Sequence, residues 1–259
     1  MPSLIPQSAW ARRLVYEMIY AWPGSWGGST FNVGMAPVDP FVLGDPRLAR
    51  DANQVQLYAE LFSMVQRDAT WWRQSSVLEI AAGCGGGLLY LSKRHAPREA
   101  IGVDISAVAA WRGRRLGLDL RQGEATRLRF EQGRFDCLVC VEALNYLGEE
   151  AFAREALRVL RPTGCFLLAE TSTSFEEAKT RFARLARTGG MTVEVARDVS
   201  DGVRQSIRDR SPRMEQALAR VPSFLQSRVR EMLSAEGSER YRSWQEGRYC
   251  FSMAVLRRG

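Results

Sequence analysis

Apolar residues follow two periods along this chain. Residues 77–81, 100–103, 118–121, Phe135–Val141 and 165–169 are short apolar runs of strand length, and the stretches between them carry apolar residues at helical spacing. Ser106 is placed to cap a helix running to about residue 116. A second helix over residues 149–160 leads into the turn Arg161-Pro162-Thr163-Gly164, and Ser174-Phe175-Glu176-Glu177 is a capping box opening a helix that ends at Gly189-Gly190. Residues 191–195 form a sixth strand, and 248–255 alternate into a terminal one. Strands and helices in alternation predict an α/β domain with helices on both faces of a mainly parallel sheet.

The flanks read differently. Residues 8–20 place Ala11, Leu14, Val15, Met18 and Ile19 on one stripe, an amphipathic helix stopped by Pro23-Gly24. The Gly- and Pro-rich stretch from Trp22 to Pro46 is too irregular for core elements and predicts a flap. Residues 51–66 form another helix, with Val55, Tyr58, Leu61, Phe62 and Val65 aligned. Residues 198–237 read as a helical insertion restarting at Ser211-Pro212 and Val221-Pro222. The expected organisation is a helical cap over residues 1–75 and a core over 76–259 that carries this insertion as a lid.

Between the first two strands, Ala82-Gly83-Cys84-Gly85-Gly86-Gly87 turns at once into Leu88-Leu89-Tyr90-Leu91. Glycine is needed where backbone takes positive φ or must approach a ligand closely. The second strand ends at Asp104, about 20 to 25 residues after the turn, where nucleotide-binding half-folds place the carboxylate that holds ribose hydroxyls. A dinucleotide fingerprint would need glycine at position 88, which is Leu, and no Lys follows the glycines as a phosphate loop requires.

Residues 77–86 instead resemble the first motif of class I S-adenosylmethionine-dependent methyltransferases, an acid followed two residues on by G-x-G-x-G, with Ala81 at the first glycine position. Three further segments extend the likeness over residues 76–170. Gln122-Gly123-Glu124-Ala125 is similar to the family's G-D-A element, Val141-Glu142-Ala143 to the V-E-A variant seen in lipid and polyketide tailoring members, and residues 160–166 to L-R-P-x-G-x-F. The resemblance implies a doubly wound, Rossmann-like seven-stranded sheet and S-adenosyl-L-methionine as cofactor, with S-adenosylhomocysteine as product. It implies Glu79 at the cofactor's amino group, Asp104 and Ile105 at the ribose, Glu124 and Ala125 at the adenine, and Ala81, Gly83, Gly85 and Val141 along the remaining cofactor surface. Phe31-Asn32-Val33-Gly34 resembles an F-N-x-G element in N-terminal segments that close over the cofactor.

Composition narrows the partners. The 259 residues are 46% hydrophobic and 25% charged, an ordinary globular balance. No apolar run reaches the roughly 18 residues of a membrane span, and the N-terminus lacks a signal-peptide pattern, so a cytoplasmic protein is expected. The net charge of +7 comes from arginines scattered along the chain, without a basic tail or zinc spacing, which argues against nucleic acid. Cys137 and Cys140 have an odd strand separation that puts them on opposite faces, so no metal or redox pair is expected. The protruding N-terminal helix is compatible with a homodimer.

Methyl transfer from a sulfonium is an in-line displacement in which positioning carries much of the barrier reduction, so a base is optional. The only histidine, His95, sits in the turn after the first helix of the sheet, away from the ligand end. Glu142 and Tyr146 are the candidates for proton removal; Glu142 serves equally well as a cofactor ligand or helix cap, and Tyr146 as a wall residue. Trp22, Trp26, Phe31, Tyr241 and Trp244 lie on segments expected to cover the site and suit a flat or greasy small-molecule acceptor, such as a secondary metabolite, reacting at O, C or N. Use of the same fold and cofactor as a cyclase or pericyclase, or as a non-catalytic binding module, is the alternative.

Overall fold

The computed structural model describes residues 8–21 and 30–258, so Trp22 and Trp26 lie outside the described residues. The chain opens with α1 (Ala9–Ala21), α2 (Pro40–Gly44), α3 (Pro46–Ala49), α4 (Ala52–Ser63) and α5 (Ala69–Gln74). It continues through β1 (Ser76–Ile80), α6 (Gly86–Arg94), β2 (Glu99–Asp104), α7 (Ala107–Arg115), β3 (Asp119–Gln122), β4 (Phe135–Val141), α8 (Glu149–Val159) and β5 (Leu160–Ser172). It closes with α9 (Phe175–Thr188), β6 (Met191–Asp198), α10 (Ser200–Leu218), α11 (Ser223–Met232), α12 (Glu239–Gln245) and β7 (Cys250–Arg258).

The seven strands form one sheet in the order β3-β2-β1-β4-β5-β7-β6. All neighbours pair in parallel except β7, which is antiparallel to both β5 and β6. Strand alternation separates two apolar faces. Val77, Val139, Leu167 and Val255 pack under Leu57 and Leu61 of α4 and Trp72 of α5, and Leu78, Ile80, Leu138 and Leu168 pack under Phe152 of α8 and Phe182 of α9. Cys137 and Cys140 fall on these opposite faces, as their spacing requires. The chain winds away from β1 through β2 to β3 and returns on its other side at β4, so the sheet's switch point lies between β1 and β4. A crevice forms beyond the C-terminal strand ends at such a point.

Three expectations need correction. The end of the supposed flap is ordered, because Asp39 and Asp45 cap helices that begin with proline, and Val42 and Leu48 are fully buried. The turn at Arg161-Pro162-Thr163-Gly164 lies within β5 as a bulge: pairing moves from Phe135↔Leu160 to Cys137↔Cys165, leaving the intervening residues out of the ladder. Helix α10 runs straight through Pro212. An interior proline costs about 3 kcal/mol, but Val203 and Ile207 before it and Met214 and Leu218 after it are all buried, and that packing holds the helix together.

Candidate functional site

A crevice of about 660 Å³ opens at the C-terminal ends of β1 to β4, and Ala81, Asp104, Ile105, Glu124, Ala125 and Val141 form its floor and one wall. Asp104 is anchored by two backbone donors: Gly83 N–H to Oδ2 at 2.8 Å and Ser106 N–H to Oδ1 at 2.9 Å. Each oxygen keeps a lone pair for a further donor. Burial pushes this carboxyl up to about 6, against the pull of those N–H groups.

Glu79, Gly83 and Gly85 do not line the crevice. Gly83 lies under the Tyr20 hydroxyl, which a Cβ there would meet at 2.9 Å. Gly85 caps α6 at φ +86° and faces Leu118 and Leu120, so its role is the bend and its packing rather than approach to a ligand. Of the four non-glycine residues with positive φ among the described residues, Ala81 (φ 58°), Glu142 (φ 53°) and Ser234 (φ 52°) line this crevice or the cavity beside it, and Ala96 does not. The strain of such a backbone persists only where the surroundings hold it. At Glu142 the holding groups are the Ala169 carbonyl on its N–H and the Val33 N–H on its carboxylate.

Glu79 sits beneath the glycine turn, against Gly87 and Tyr58. Burial pushes it up to about 8, although the Tyr58 hydroxyl and the Leu88 N–H both donate to it, and its Oε1 has no partner. An acid whose folded pKa is raised contributes stability that is complete below its unfolded value and lost as pH rises through the folded one. The unliganded protein is therefore expected to lose stability between pH 5 and 8.5, and Glu79→Gln to flatten that decline. Urea denaturation of both proteins across this range checks it, and parallel curves would overturn it.

Helix α1 covers the crevice, but not with the face its periodicity predicted. Leu14 and Met18, read as the inner stripe, are exposed, while Arg12, Tyr16 and Tyr20 line the crevice. The helix rests on a polar groove rather than on the core, so its inner face carries hydroxyls and a guanidinium. Glu17 fixes it there, accepting from the Ser106 hydroxyl and from Ala107 and Val108 N–H at the start of α7, where a carboxylate also meets the positive end of the helix dipole.

Beyond the crevice lies a second cavity of about 750 Å³ under the lid helices α10 to α12. Tyr16, Phe31, Glu142 and Tyr146 belong to both spaces and form the wall between them. Burial raises the Glu142 carboxyl, against the Val33 N–H and the nearby Arg240 and Arg210; it raises the Tyr146 phenol to about 12, so the phenol keeps its own proton near neutrality and does not act as a base. His95, at the C-cap of α6 and 4.6 Å from Trp72 between ring centroids, stands at the far end of the sheet, with burial pushing it down to about 4.

Two acceptor-facing assignments are corrected. Trp244 is fully buried in the core beside Tyr249, and Tyr241 packs against that core; neither lines the cavity. From α12 it is Arg240 that does, joined by Arg210 and Met214 of α10 and Met232 of α11. Helical spacing from Arg12 to Tyr16 to Tyr20 was available as a signal for α1. The lid arginines carried none, being two among many.

The crevice fits an adenosine cofactor. Asp104 presents two anchored acceptor oxygens, Ile105 and Val141 offer apolar surface, and Ala81 adds only a methyl group to the lining. A family profile described as a methyltransferase domain matches residues 77–164. The chain is 32% identical over 187 residues to the phthiotriol/phenolphthiotriol dimycocerosates methyltransferase of Mycobacterium tuberculosis, covering 68% of each chain. Its fold is similar to the [4+2]-cyclase SpnF, with a TM-score of 0.75, 15% identity and coverage of 98% of this chain and 97% of that one. It is also similar to geranyl diphosphate C-methyltransferase from Streptomyces coelicolor A3(2), solved with S-adenosyl-L-homocysteine, with a TM-score of 0.61, 15% identity and coverage of 87% and 92%. Motifs, fold and sequence relationship agree, and the chain belongs to the class I S-adenosylmethionine-dependent methyltransferases.

Proposed function

We propose that the enzyme methylates an O–H, N–H or acidic C–H group of an apolar, lipid-like acceptor held under α10 to α12, with oxygen favoured by the raised carboxyl beside it. The observation that carries this reading is Glu142, the carboxylate in the wall shared by the crevice and the lid cavity. When bound, S-adenosylmethionine supplies an activated methyl group. The chain's own residues do the rest. Asp104 with Ile105, and Glu124 with Ala125, hold the nucleoside, while Glu79 stays beneath the glycine turn and supports it. Glu142 accepts the proton leaving the acceptor, its raised pKa bringing it nearer the range in which a base works best at neutral pH. Tyr16, Phe31 and Tyr146 exclude water, and α1 acts as a cover pinned by Glu17.

The lipid class is supported by the mycobacterial relative, which is named for methylating phthiotriol and phenolphthiotriol dimycocerosates, and by Met214, Met232 and Leu233 in the cavity. A cytoplasmic setting is supported by five cysteines that are all free and buried. The test is stoichiometry. With acceptor candidates of this class, one S-adenosylhomocysteine is expected per acceptor consumed; consumption without it would replace methyl transfer by cyclisation on the same scaffold.

A further inference from the structure

The lid cavity contains a charge arrangement that methyl transfer alone does not require. Several arginines of the lid pair with acids: Arg204 with Asp201, Arg230 with Glu215, Arg242 with Glu239 and Arg248 with Glu246. Arg210 and Arg240 differ. Both line the cavity, and the Nε of each is shut off from solvent without an acceptor. Arg210 spends one Nη on the Val33 carbonyl at 2.7 Å. Arg240 makes no side-chain hydrogen bond among the described residues. Glu142 is near enough to both to offset part of their charge, but its oxygens are engaged by the Val33 N–H at 2.9 Å and the Thr171 hydroxyl at 3.4 Å, and it forms no ion pair with either guanidinium.

One carboxylate cannot balance two guanidinium groups, and buried N–H donors left without an acceptor are costly. Here the guanidinium groups come from two different helices and share a cavity to which the lid also gives Met214, Met232 and Leu233, with Asn32, Gln54, Glu142 and Tyr146 among its other walls. Planar guanidinium groups match the two oxygens of a carboxylate, and methionine side chains adapt to flexible apolar chains.

We propose that Arg210 and Arg240 form a clamp for a carboxylate carried by the acceptor, so that the substrate is an organic acid with an extended apolar body, anchored by its ionised head while a separate group reaches Glu142. This rests on the lid cavity being the acceptor site. One guanidinium balances the acid, and the other is offset by Glu142 whenever that group is ionised.

The experiment is calorimetric titration of the S-adenosylhomocysteine-saturated protein with decanoate and with decan-1-ol, which share an apolar chain and differ in the charge of the head. Decanoate is expected to bind at least tenfold more tightly. Arg240→Gln is expected to abolish that preference while leaving decan-1-ol and S-adenosylhomocysteine affinities unchanged, and Arg210→Lys to reduce it in part. Equal binding of acid and alcohol, no binding of decanoate, or a preference that survives Arg240→Gln would each overturn the clamp. Failure of the cofactor reading registers separately, as no heat in the initial S-adenosylhomocysteine titration.

Discussion

Glu142→Gln is expected to lower kcat by about 100- to 10,000-fold, the range associated with loss of a positioned general base, while S-adenosylhomocysteine binds nearly as before. The amide keeps the length of the side chain and an oxygen for the Val33 N–H, now 2.9 Å away, so the strained backbone at φ 53° retains its support. What is lost is proton affinity. In the wild-type enzyme, protonation of Glu142 removes the base as pH falls, and because burial raises its pKa, that acid limb lies above the ordinary carboxylate range. In the variant the limb should vanish. Pre-steady-state methylation over a pH series checks both points. A variant with full kcat and the original limb would reduce Glu142 to a strut for the Val33 loop and leave proximity as the whole of the catalysis.

Residues 76–170 were legible because their signals are local. Strand length, a glycine turn and acids at the tips of β2, β3 and β4 are properties of a few adjacent residues, and they led to the sheet and to Asp104, Glu124 and Glu142. The misread parts depend on what a segment meets after folding. The stripe of α1 follows the apolar residues, yet the helix lies across a polar crevice, so Tyr16 and Tyr20 turn inward and Leu14 and Met18 outward. Pro212 ends a helix by local rules, yet buried side chains on either side carry α10 through it. Tyr241 was assigned to the acceptor by its place in sequence, but one helical position decides between core and cavity, and that position gives the cavity Arg240. Even the glycine turn was only half read. Its acid, Glu79, ended beneath the bend, and at Ala81 the consequence of departing from glycine is a left-handed backbone rather than a distance.

Asp104 carries the other large expectation. Both of its oxygens already accept a backbone N–H, from Gly83 in the glycine turn and from Ser106 at the N-cap of α7. It therefore fixes the glycine turn relative to the start of α7 and presents acceptors to the ribose hydroxyls at the same time. In Asp104→Asn one of the two N–H groups must face an amide NH₂, so the variant loses an anchor as well as the charge. Hydrogen bonds to a charged group contribute about 1.5–3 kcal/mol each, and loss of a pair should weaken S-adenosylhomocysteine binding by at least about 100-fold, or about 2.7 kcal/mol. The sign of the pH effect follows from the carboxyl being raised to about 6. Above that value the unliganded enzyme presents the anion and affinity is flat; below it a proton must leave first, and affinity falls by up to about tenfold per pH unit. Calorimetry between pH 5 and 8 on wild type and Asp104→Asn measures both, with circular dichroism verifying that the variant is folded. If the folded variant binds as wild type does, the ribose is held elsewhere and the assignment of the crevice floor fails.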